Sequence, residues 1–175
     1  MSRLCCSTIV LSLFVFLWMP VDGFSQAIRA DEAPAQVTPP FVAKIEALLK
    51  DKSARPTEGD DEEKKLLKER CVAAETMVQV NLDYYKRGTR PITLLLEAME
   101  QLRKARLELR PKPEEQIAIL EAYFELTKYE EQRAEDRYKI GASGKDVVAA
   151  ARYARLTAQL QLLRAKRKRK SAGSK

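Results

Sequence analysis

Few residues in this chain are equipped for chemistry, and their neighbours decide what they do. Five consecutive basic residues, Lys166, Arg167, Lys168, Arg169 and Lys170, make the densest charge in the sequence. Such a run holds polyanions through counterion release and anionic headgroups through direct attraction. The carboxylate pairs Glu130-Glu131 and Glu135-Asp136 are raw material for acid–base work, but Lys128, Arg133, Arg137 and Lys139 are interleaved with them, as on a solvated helix face. Asp60-Asp61-Glu62-Glu63 could hold a divalent cation only by converging. Consecutive helical residues diverge around the axis, and clustered acids suit the positive end of a helix dipole. There is no histidine, so the commonest general base and metal ligand is missing. The tyrosines at 84, 85, 123, 129, 138 and 153 read as packing at seams and turns. The expectation is a protein that is not an enzyme, with no catalytic residue, cofactor or metal.

Cysteine and hydropathy give an address. Arg3, an apolar run from Ile9 to Met19 broken only by Ser12, then Pro20 and small residues form the pattern of a secretory signal peptide over residues 1–27. Cleavage is expected after Gly23 or Ala27; left uncleaved, the segment would anchor the chain in a membrane. Cys5 and Cys6 leave with the leader, and Cys71 is then the only mature cysteine, in line with Leu67, Ala74 and Val78 as a small buried apolar residue. Export predicts the periplasm or cell envelope and makes nucleic acid an unlikely partner.

The net charge of +7 is matched by seven residues from Arg164 onward, so the remainder of the chain is neutral. Residues 166–175 are expected as a disordered basic tail that alone recruits anionic partners. Residues 28–59, with Ala33-Pro34 and Pro39-Pro40, read as a spacer holding one short amphipathic segment, Phe41 to Lys50.

The elements between are all helical. A first long helix is predicted from Asp61 to Arg87, with Leu67, Cys71, Ala74, Val78, Asn81 and Tyr85 on one stripe. Gly88 ends it, Thr89 can cap its successor, and Pro91 falls in the next first turn. Ile92, Leu95, Met99, Leu102, Arg106 and Leu109 mark the second helix. Pro111-Lys112-Pro113 breaks the pattern, and the third helix carries Ile117, Leu120, Phe124, Thr127, Glu131, Ala134 and Tyr138 up to Gly141. Ser143 and Asp146 suit a capping box opening a fourth helix, with a stripe of Ala149, Tyr153, Leu156, Leu160 and Leu163. The fold class is therefore all-α: antiparallel helical hairpins over residues 60–165, forming a four-helix bundle or coiled-coil-like stack. The polar seam residues Asn81, Arg106, Thr127 and Glu131 imply looser packing or a seam that meets a partner.

A shift of 53 residues lays Tyr85-Lys86-Arg87-Gly88 on Tyr138-Lys139-Ile140-Gly141, and Leu94, Leu95, Ala98, Ala105, Leu107 and Leu109 on Val147, Val148, Ala151, Ala158, Leu160 and Leu162. One helix-turn-helix unit is used twice. Tyr-Lys-x-Gly, a short polar turn, then a Leu-Leu or Val-Val pair resembles the helical repeat of TolC-type outer membrane efflux proteins. In that family an equivalent Gly-containing turn lies at the periplasmic tip of each hairpin, where the adaptor docks. The resemblance spans about residues 62–165. It departs where family members thread β-strands between hairpins, because Leu109 reaches Glu114 through a Pro-Lys-Pro link and no strand-like run is present. It implies hairpins without a barrel, in an exported protein that works by helix–helix interaction, with partner contacts at Tyr85, Gly88, Tyr138 and Gly141. The alternative is a helical bundle that presents Lys166 to Lys170 to an anionic polymer, a lipid surface or nucleic acid.

Overall fold

The computed structural model describes residues 39–109 and 112–172. The expected leader, the spacer up to residue 38, residues 110 and 111 of the link and the last three residues lie outside the described residues. Five helices are described: α1 Pro40–Lys50, α2 Glu62–Lys86, α3 Ile92–Glu108, α4 Pro113–Lys139 and α5 Lys145–Ala172. No strand occurs among the described residues, and the fold is an all-α helical bundle.

The helix starts follow local chemistry. Proline opens α1 and α4, where its missing N–H costs nothing. The Asp61 carboxylate accepts the Lys64 N–H at 2.7 Å and caps α2. Its neighbour Asp60 turns away to ion pairs with Lys68 at 2.6 Å and Lys64 at 3.1 Å, so the acidic cluster does diverge. Two expected caps do not form. The Thr89 hydroxyl donates backward to the Tyr84 carbonyl at 3.0 Å, leaving Pro91 as the N-cap of α3. Ser143 Oγ has no hydrogen-bond partner, so the Ser143–Asp146 box is not made.

The two hairpins are α2 with α3 and α4 with α5; α3 packs on α4, and α1 lies across α4 and α2. The segment expected within a spacer thus takes a place in the core. Phe41 and Ile45 of α1 are fully buried with Val78 and Leu82 of α2, Leu95, Met99 and Leu102 of α3, and Ile119 and Leu126 of α4. Phe41 alone, taken out of water, is worth about 1.5–3 kcal/mol. α4 touches three other helices, which is why it is buried beyond the predicted stripe, at Ile119, Ala122 and Leu126 as well as at Ile117 and Leu120.

The polar seam residues all find partners within the chain. Arg106 ties α3 to Glu75 and to the end of α1, Thr127 Oγ1 donates to the Phe124 carbonyl at 2.8 Å, Asn81 Nδ2 donates to the Met77 carbonyl at 2.8 Å, and Glu131 pairs with Arg155.

α5 turns the other face inward. Its buried residues are Ala158, Leu162 and Ala165, in line with the half-buried Val148, Ala151 and Arg155. The expected stripe is outside: Tyr153 is 75% exposed, Leu160 54%, Leu163 45% and Leu156 43%. Both stripes have helical spacing. The small-residue one wins because alanines let the helices approach closely, and because it aligns Arg155, Lys166 and Arg169 with Glu131, Glu121 and Glu114 of α4.

Candidate functional site

The two Tyr-Lys-x-Gly turns have the same geometry. Gly88 and Gly141 adopt left-handed φ values of +68° and +73°. The Thr89 N–H reaches back to the Tyr84 carbonyl at 3.0 Å and the Ala142 N–H to that of Arg137 at 2.8 Å, while the glycine N–H groups bond Tyr85 and Tyr138. This double closure is the Schellman motif, which needs a residue without Cβ strain at the glycine position. The repeated sequence thus encodes a repeated backbone.

The two ends differ in surroundings. Tyr85 is half-buried, its hydroxyl 3.2 Å from that of Tyr129 and its ring 5.7 Å from Phe41, and burial pushes its phenol upward. Tyr129, not Tyr138, is therefore level with Tyr85. The repeat would match Tyr85 to Tyr138, so the α4–α5 hairpin extends nine residues farther, about 13 Å at 1.5 Å per residue. Of the four expected contact residues, Tyr85 and Gly88 sit at a turn held against α1, whereas Tyr138 and Gly141 sit at a projecting end. That end exposes three large apolar side chains among charged ones: Ile140 is 78% exposed, Val147 45% and Tyr138 40%. The repeat includes Ile140 and Val147, but the expected contacts were Tyr85, Gly88, Tyr138 and Gly141; an apolar residue in a glycine turn was the available signal.

The basic run is helical rather than a disordered tail, since α5 continues to Ala172. Lys166 pairs with Glu121 at 2.6 Å and Arg169 lies 3.6 Å from Glu114, so part of the charge is turned onto α4. Arg167 and Lys168 remain exposed.

The carboxylate pairs do not converge. Glu131 is taken by Arg155, Asp136 by Lys139 at 2.9 Å, and Glu130, whose acid is raised by burial, lies 3.9 Å from Arg133. A groove of about 430 Å³ between Pro40, Phe124, Tyr129 and Arg155 also contains Glu131 and Glu135. Its ion pair closes α4 onto α5. Cys71 is fully buried near Ala54 and Ala105, and burial pushes its thiol up to about 11. Among the described residues no group of three or more Cys, Asp or Glu side chains is arranged to hold a metal, and no helix is long and apolar enough to cross a membrane.

No family model, curated protein or solved structure matches the chain.

Proposed function

We propose that this is a non-catalytic, exported helical-hairpin protein of the cell envelope that acts by binding other helices. The observation that carries the reading is the projecting α4–α5 hairpin end, where Tyr138, Ile140 and Val147 are held in water by a rigid Schellman turn. Exposed large apolar side chains grouped at a projecting end mark an interaction site. A helix laid beside that end buries them with little loss of conformational freedom, because the turn is already fixed. The resemblance of both turns to those of TolC-type proteins supports adaptor-like contact here.

A photocrosslinking residue at Ile140, with one at Lys112 at the opposite end as control, tests the reading in the native envelope. A discrete partner captured from Ile140 and not from Lys112 is expected. Equal labelling from both positions, or recovery of the protein only from the cytosol, removes the proposal.

A second reading has one specific observation behind it. No Asp or Glu follows Asp146, so the outer side of α5 from Arg152 through Lys170 has no acid of its own. An anionic polymer or lipid surface is the complementary ligand, each basic residue being worth about 1 kcal/mol near an anionic membrane.

A further inference from the structure

The row of helices is apolar at both of its outer sides. α2, away from α3, shows Leu66 at 60% exposure, Met77 at 48% and Val80 at 43%, with Ala73 in line with them. α5, away from α4, shows Tyr153, Leu156, Leu160 and Leu163. Proteins built of stacked helical units ordinarily present polar outer faces on their terminal helices. Neither terminal long helix does so here.

The internal repeat says what belongs on those faces. Shifted by 53 residues, Leu156 and Leu160 fall on Arg103 and Leu107. That is the side of α3 that meets α4, where the Arg103 guanidinium lies 5.4 Å from the Tyr123 ring centroid. The same shift puts Leu66 on Ile119 and Ala73 on Leu126. Those α4 residues are fully buried in the core that Phe41 and Ile45 of α1 complete. Each bare face is thus the counterpart of one that carries a helix within the chain.

Charge selects the occupant. The α5 face is flanked by Arg152, Arg164 and Arg167 with no acid, while the start of the α2 face is bordered by exposed Glu62, Glu63 and Glu69 together with Lys65 and with Arg70, which is paired to Glu108 of α3. A second α5 against the first would oppose like charges. An antiparallel α2 is complementary: with Leu163 level with Leu66, Leu156 meets Ala73, Ala149 meets Val80, and Arg167 meets Glu62.

We propose that the protein self-assembles head to tail, the outer face of α5 in one copy seating on the outer face of α2 in the next. The proposal rests on the helix-binding reading and names one partner, a second copy of this chain. Such a heterologous contact propagates to a ring or a filament instead of stopping at a two-fold dimer.

Sedimentation of the purified protein over a concentration series, with Leu160→Glu and Val80→Glu, tests it. Both positions are exposed, so each variant should keep the wild-type helical circular dichroism. The wild type is expected to grow beyond a dimer; each variant alone is expected to be monomeric, and an equimolar mixture to give a one-to-one dimer and nothing larger. A Val80→Glu variant that still dimerises through α5, or a wild type monomeric at every concentration, overturns the proposal. So does a monomer that binds phosphatidylglycerol vesicles through Leu160, which would make a membrane the occupant. Neither variant alters the Ile140 end, so crosslinking from Ile140 reports on the hairpin-end reading separately.

Discussion

The guanidinium of Arg106 on α3 donates to the backbone carbonyl of Leu48, at the end of α1, across 3.0 Å. The same group reaches Glu75 of α2 at 2.5 Å and the Asp51 carboxylate at 3.3 Å. One side chain therefore joins the Asp51 N–H, 3.3 Å from the same carbonyl, in capping α1, and fixes that helix to both helices of the first hairpin. Removing Arg106 leaves the largely buried Glu75 carboxylate without its ion-pair partner, while Asp51 keeps its hydrogen bonds from Ser53. Arg106→Ala is expected to cost about 3–5 kcal/mol in urea unfolding, with Arg106→Lys intermediate because the planar fork is lost. A loss below 1 kcal/mol would show that α1 is held by its apolar face alone.

That apolar face gives the second prediction. Phe41 is fully buried between Tyr85 and Tyr129, with ring centroids at 5.7 and 5.1 Å. Phe41→Ala is expected to lower stability by about 3–5 kcal/mol, measured by chemical denaturation. An element acting as a mere spacer would tolerate the change.

How much of this was legible in the sequence depends on the kind of information each residue carries. The α3 stripe from Ile92 to Arg106 is buried as its spacing required, because α3 has neighbours on its apolar side and charge elsewhere. The Gly88 and Gly141 turns were also legible, since a left-handed cap is a local property. α5 was not. It carries two apolar stripes, and the choice between them was made by Glu114, Glu121 and Glu131 on another helix. The core role of α1 was hidden for a related reason: eleven residues form a weak helix alone, and this one is held by partners distant in sequence, its apolar face by the core around Tyr85 and Tyr129, its end by Arg106, and its polar side by Glu125 and Lys86. The nine-residue stagger of the hairpin ends has no sequence signature, because it is set by packing across the α3–α4 contact.

Acid should reveal Asp60. The Lys68 ammonium, bonded at 2.6 Å, holds its carboxyl well below the usual carboxylate range, helped by hydrogen bonds from Thr57. A carboxyl with a depressed folded-state pKa contributes stability that is fully present above the unfolded value, about 3.9, and is lost as pH falls toward the folded value. Wild-type stability should therefore fall below about pH 4. Asp60→Asn should be less stable at neutral pH and show a flatter fall on acidification. Equal slopes for the two proteins between pH 4 and 2 would count against the Asp60–Lys68 pair.

Cys71 offers a probe of the first hairpin. Its thiol is fully buried and raised to about 11, so the reactive thiolate is scarce at neutral pH and out of reach. A thiol reagent at pH 8 should label it only at the rate of unfolding, and Cys71→Ser should destabilise by about 1–3 kcal/mol through an unpaired buried hydroxyl. Rapid labelling of the native protein would mean that α2 and α3 separate readily near Ala105.

The two left-handed glycines separate local strain from global consequence. Gly88→Ala and Gly141→Ala introduce the same strain, about 1–2 kcal/mol for a Cβ in this conformation, and neither Cβ would meet a neighbour within 4 Å. The Gly88 turn is joined to the core by Tyr85, so its strain should appear in global unfolding. The Gly141 turn lies beyond Ala134, the last buried residue of α4, so its strain is relieved by opening that end alone. Hydrogen exchange should then show faster amides over residues 136–147 in Gly141→Ala with an almost unchanged denaturation midpoint, and a lowered midpoint in Gly88→Ala. Equal midpoint shifts in both variants would mean that the projecting hairpin end unfolds with the rest of the molecule, and that the stagger between the two ends has no effect on cooperativity.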